Sequence, residues 1–233
     1  MLAQIAHEIR NPLGGIELLA GLVKEDLLKQ GGQTEYIDRI LSEISGLKSL
    51  ISAYLNYSRP APAKPEWVTI SRVAEGTVSL FRDQIRKKQV EVSIDTGEVR
   101  VWFDPHHLRQ ILTNLLANSL QAVDSGGTIR ITTSRTRHAV QLLVSDSGVG
   151  IPAKNLEKIF EPFFTTHANG TGLGLAISKK LCQENNAAIR VESSPGRGCT
   201  VIIETRKRDG NLARGANQKQ AGEIEQVEEV GGW

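Results

Sequence analysis

The chain has 233 residues, 39% hydrophobic and 23% charged, enough apolar material for one large or two small domains that fold without disulfide or metal staples. Its net charge of +2, with no stripe of Lys and Arg interleaved with aromatics, argues against a dedicated nucleic-acid binder. There is no run of about 18 apolar residues to cross a membrane and no basic-then-apolar leader, and two cysteines, Cys182 and Cys199, suit a reducing cytosol.

The first stretch predicts two helices. Leu2, Ile5, Ile9, Leu13, Ile16, Ala20, Val23 and Leu27 recur at threes and fours; Ile37, Ile40, Ile44, Leu47, Ile51 and Tyr54 repeat like a coiled-coil seam. Lys29–Gln33, with its two glycines, is the turn between them. Extra apolar residues (Leu19, Leu28, Leu41, Leu50, Leu55) widen both stripes beyond what two helices can cover with each other. This predicts an α-helical hairpin over 1–59 that completes a four-helix bundle as a homodimer.

Pro60, Pro62 and Pro65 make a stiff linker over 60–66. Residues 67–88 begin extended and turn helical. Glu91–Ile94 and Arg100–Phe103 are short strands, and Asp104-Pro105 opens a helix to about Val123. Thr128–Thr136 and Ala139–Ser145 form a strand hairpin, and a loop then runs to about Gly170. A helix to about Asn186 and strands Ala188–Ser193 and Cys199–Thr205 close an α+β two-layer sandwich over 67–205, helices on one face of a mixed sheet. The polar remainder, 206–233, has too little apolar material for a core and is expected to be a flexible tail.

His7 falls about 160° around the first helix from the centre of its apolar stripe, so it is expected to face water or a docking partner. Glu8 flanks it and Asn11 follows one turn on. A carboxylate near Nδ1–H would fix the tautomer and make Nε2 a better nucleophile. Pro12 cannot donate to the carbonyl of Glu8, so a bend beside His7 is expected. Local chemistry alone leaves a catalytic imidazole and a solvated helix face both open.

In the second domain, Asp146-Ser147-Gly148-Val149-Gly150 follows an apolar strand. The glycines allow close backbone approach to a ligand, and a carboxylate at a strand end can accept from an exocyclic amine such as that of adenine. Gly170-Thr171-Gly172-Leu173-Gly174 leads into a helix whose N–H groups could cradle phosphate. It is neither a Rossmann nor a Walker motif. Asn114 and Asn118 share a helix face, and their amide oxygens suit Mg²⁺. His106, His107 and His138 carry no metal-site pattern.

Together these segments resemble the bacterial sensor histidine kinases of two-component signalling. Ala6–Leu13 resembles the phosphoacceptor box, Asn114–Asn118 the N box, Asp146–Gly150 the first glycine box, Phe160–Phe164 the F box and Gly170–Gly174 the second glycine box, all in the family's order. The resemblance implies a HisKA-type hairpin and an ATP-binding domain of the GHKL (Bergerat) type. It implies that His7 takes the γ-phosphoryl group of ATP, with Glu8 as orienting base, and that Asn11 places water for removing phosphate from a regulator. It also implies that Asn118 holds Mg²⁺ with support from Asn114, and that Asp146 reads adenine with Thr200 near the same base. Gly148, Gly150, Gly170, Thr171, Gly172, Leu173 and Gly174 would line the nucleotide and its lid. The partner implied is the receiver domain of a response regulator, with a cytoplasmic location.

Three departures accompany the resemblance. His167 stands where close relatives carry Lys, which predicts weakened or pH-dependent phosphotransfer. Gln121 stands where many carry Lys, and only six residues precede His7. The short start implies a kinase core whose sensor domain, or a partner serving as one, is not encoded here. Two other readings follow from these departures: a nucleotide-binding dimeric scaffold, and a regulator phosphatase using Asn11. Gyrase-type ATPases resemble the second domain too, but carry no exposed His on a preceding dimerising hairpin.

Overall fold

The computed structural model describes residues 2–58, 62–166 and 170–208. The first two elements are long antiparallel helices, α1 (Leu2–Lys29) and α2 (Glu35–Ser58). Helix α1 runs on through Pro12. Its end is set by Gly31, at φ +66°, which lets the N–H of Gly32 fold back onto the carbonyl of Leu27 at 2.8 Å. Ion pairs Lys24–Asp38 (2.6 Å) and Lys48–Glu17 join the helices. Among the described residues no helix is long and apolar enough to cross a membrane.

After an irregular stretch come β1 (Glu66–Thr69), α3 (Ile70–Leu80), α4 (Arg82–Lys88), β2 (Glu91–Asp95) and β3 (Arg100–Phe103). Next is α5 (Pro105–Ala122), capped by Asp104, whose carboxylate accepts from the N–H groups of His106 and His107 at 2.8 and 3.1 Å. Then follow β4 (Thr128–Arg135), β5 (Ala139–Asp146), α6 (Ala153–Leu156), α7 (Gly174–Glu184), β6 (Ala187–Ser193) and β7 (Cys199–Arg206).

The five-stranded sheet has the order β2-β4-β5-β7-β6. Only β2 and β4 are parallel, so the sheet is mixed, as expected. Strands β1 and β3 do not join it. They pair with each other as a separate antiparallel ribbon, correcting the expectation of one sheet. The short helix α6 was not anticipated within the loop before Gly170, and β7 extends to Arg206, one residue into the expected tail. The rest of that tail, from residue 209, and His167 lie outside the described residues.

Alternation explains the layering. On β5, Val140, Leu142 and Val144 are buried against the helices, and Asp146 continues that parity at the strand end. Helix α5 supplies Leu108, Ile111, Leu112, Leu115 and Leu116, each 1% exposed or less. With Ile177 and Leu181 of α7 and Val73 of α3 they form one continuous core.

Candidate functional site

Asp146 is the centre of the candidate site. Ser119 of α5 donates its hydroxyl to Asp146 Oδ2 at 3.0 Å, and the backbone N–H of Gly148 donates to Oδ1 at 3.0 Å. Burial pushes the Asp146 carboxyl above its ordinary value, against these hydrogen bonds and one from the Cys199 backbone. A half-buried carboxylate with this limited set of donors retains acceptor capacity for a ligand amine.

Three of the motif glycines are required by space. A side chain on Gly148 would sit 2.6 Å from the carbonyl oxygen of Ala122; on Gly150 (φ +71°) it would meet the Ser194 carbonyl oxygen at 2.1 Å. Gly172 (φ +66°) would strike the backbone of Phe163 at 2.4 Å. This joins the second glycine segment to the F box, where the N–H of Phe163 donates to the Gly172 carbonyl at 3.0 Å. Phe163 itself is held at φ +67°, a strained conformation for a bulky residue. Its exposed ring stacks on Tyr54 of α2, centroids 6.0 Å apart. The second glycine segment, through the F box, therefore meets α2 of the hairpin at this aromatic pair.

On α5, Asn114 donates its amide to the Gly174 carbonyl (3.0 Å) and to Ser178 Oγ (3.3 Å), tying α5 to the start of α7. Gly174 itself has ordinary room. Asn118, one turn on and next to Ser119, is exposed. Gly170 is half-buried, and Thr171 accepts from the Leu173 N–H at 3.3 Å, closing the turn into α7.

Two expected residues face elsewhere. Thr200 pairs with Ser145 and donates to its hydroxyl at 2.9 Å, on the sheet face opposite Asp146. The cross-strand partner of Asp146 is Cys199, whose thiol is pushed up to about 11, chiefly by burial and also by the Asp146 charge. Leu173 is wholly buried, so its side chain belongs to the core and only its backbone is left to face a ligand.

His7 and Glu8 lie on α1; their side chains are outside those described, and so is the expected orientation of His7. Asn11, one turn on, is exposed. Sequence reasoning missed Ser119 and Cys199. Ser119 looks like a small polar residue at a core position of α5, and only its neighbour Asn118 signals the site.

A carboxylate at a strand end, supported from a long helix and beside glycines that admit no side chain, marks the candidate site of the α/β sandwich, here joined to a helical hairpin. Residues 103–209 match the family described as histidine kinase-, DNA gyrase B- and HSP90-like ATPase, and residues 1–62 match the His Kinase A (phospho-acceptor) domain. The chain is 34% identical over 206 residues to the signal transduction histidine-protein kinase AtoS of Escherichia coli (strain K12), covering 87% of this chain and 34% of that protein. It is similar to the catalytic domain of histidine kinase ThkA: 33% identity, TM-score 0.57, 62% of this chain and 96% of that domain. A structure of ThkA in complex with the response regulator protein TrrA matches 88% of this chain and 60% of that chain, with 30% identity and TM-score 0.65. The chain belongs to the sensor histidine kinases, and spans about a third of the length of AtoS.

Proposed function

We propose that the chain is an ATP-dependent protein-histidine kinase core that phosphorylates itself on His7 and passes the phosphoryl group to an aspartate of a response-regulator receiver domain. The observation that carries this reading is the Asp146 site, with its carboxylate held by Ser119 and Gly148 beside glycines whose side-chain space is already filled. Asp146 accepts the adenine amine, which favours its ionised form despite burial. The backbones of Gly148, Gly150, Gly170, Thr171, Gly172 and Gly174 approach the nucleotide.

His7 attacks the γ-phosphorus; the bond to the β,γ-bridging oxygen breaks and ADP leaves with that electron pair. Glu8 orients the ring through Nδ1–H, and Asn11 serves the reverse traffic by placing water for regulator dephosphorylation. Positioning supplies most of the acceleration in such transfers. The oxygen-bearing side chains of Asn118 and Asn114 suit a hard divalent cation, and Mg²⁺ when bound neutralises phosphate charge there. We read 1–59 as the dimerising hairpin, 60–66 as linker and 67–205 as the catalytic domain, working in the cytoplasm. The hairpin's exposed Ile16, Leu19, Val23, Ile40 and Leu47 are the face a second copy covers to make a four-helix bundle.

The test is γ-labelled ATP with Mg²⁺, run beside His7→Gln. Label that survives alkali, is lost in acid and is absent from the variant is the expected result. No label with nucleotide binding intact would instead favour the scaffold or phosphatase readings.

A further inference from the structure

The β1–β3 ribbon buries one face and shows the other. Val68, Val101 and Phe103 point into the core, while Trp67 and Trp102 pair directly across the outer face, rings edge to face with centroids 5.6 Å apart. Arg100 lies over Trp67 at 5.8 Å and Arg208 over Trp102 at 5.3 Å. The result is a row: cation, indole, indole, cation. Both arginines are exposed, and neither forms an ion pair with a described carboxylate. Stacked Trp and Arg on a free ribbon face have the composition of an interaction hot spot.

We propose that this row is the docking site for the acidic end of the same chain, residues 223–230. That segment reads Glu-Ile-Glu-Gln-Val-Glu-Glu-Val and contains no cation. Glu223, Glu225, Glu228 and Glu229 are opposite in sign to the two guanidinium groups, and Ile224, Val227 and Val230 supply apolar contact for the indole faces. Arg208 is the last described residue and already lies on the row, so the tail departs from the site it returns to. The intervening residues 209–222 are mostly small or polar, and a tether of that length has a root-mean-square span of roughly 20 Å. At the millimolar effective concentration such a tether sets, a weak contact suffices.

The chain carries three tryptophans, and Trp233→Phe leaves emission from Trp67 and Trp102 alone. Acrylamide quenching is compared in the Trp233→Phe full chain with and without Gln at Glu223, Glu225, Glu228 and Glu229. The expected result is a quenching constant about twofold higher in the Gln variant; salt at about 1 M should raise the parent to the same value and leave the variant unmoved. Charge reversal at Arg100 and Arg208 to Glu should likewise expose the indoles, and four Lys in place of the tail Glu residues should restore protection in that background. Equal quenching in parent and Gln variant would overturn the proposal. So would protection that grows with protein concentration, which would make the occupant the tail of a second copy.

Discussion

The hairpin and the sandwich bury their apolar residues to different depths. In the sandwich, Phe103, Ile111, Leu115 and Leu116 are 1% exposed or less, and the core they build is continuous across both layers. Among the described hairpin residues only Ala20 and Ile44 are buried, while Leu19 is 64% exposed and Leu47 48%. Two helices joined by a turn have no third surface, whereas a sheet with helices on one face encloses its own core. The sandwich therefore carries its stability within one chain. In the proposed dimer the hairpin's depends on what covers it and so on protein concentration.

The largest expected effect lies where burial is complete. Leu115→Ala should cost the sandwich about 2–5 kcal/mol through lost contacts and a cavity, equally at low and high protein concentration. A concentration-dependent loss, read by calorimetry, would mean that the sandwich too leans on a partner. On the hairpin, Leu47→Glu should leave the sandwich melting unchanged while weakening self-association about 100-fold, or about 2.7 kcal/mol. Sedimentation equilibrium reads this directly. An unchanged association constant would show that the Leu47 face is not what a second copy covers.

The same contrast governed what could be read in advance. Local signals were legible: the Asp104-Pro105 start of α5, the wide apolar stripes of the hairpin, and the glycines whose side-chain space turned out to be filled. What escaped was long-range. Nothing in either short strand says that Trp67 pairs with Trp102 rather than joining the main sheet. Placing Thr200 beside Asp146 was an error of one residue, and in a strand one residue changes the face, which puts Cys199 there instead. The burial of the Leu173 side chain is likewise a long-range matter, set by the core that the start of α7 packs on.

A second long-range feature gives the smallest of these effects and separates charge from packing. The Asp104 carboxylate accepts from the backbone N–H of Lys64, just before β1, at 2.7 Å, besides capping α5. Its own N–H donates to Asn185 Oδ1 at 2.7 Å, so Asn185 Nδ2 must donate to the Leu181 carbonyl and to Nδ1 of buried His107. Burial pushes the Asp104 carboxyl up, but the N–H groups of Lys64, His107 and His106 and the nearby His107 ring together hold it below its ordinary 3.8. A depressed value means the charge stabilises the fold above the unfolded value and ceases to do so as pH falls through the folded one. Asp104→Ala, which loses the cap, should cost about 1–2 kcal/mol near neutrality. Asp104→Asn can still cap, so it should cost less, and its deficit should close as the pH is lowered from about 5 to 2. Melting curves of the three proteins across that range decide the matter. A deficit for Asn that persists into acid would assign the residue's contribution to packing around Lys64 and Asn185 rather than to its charge.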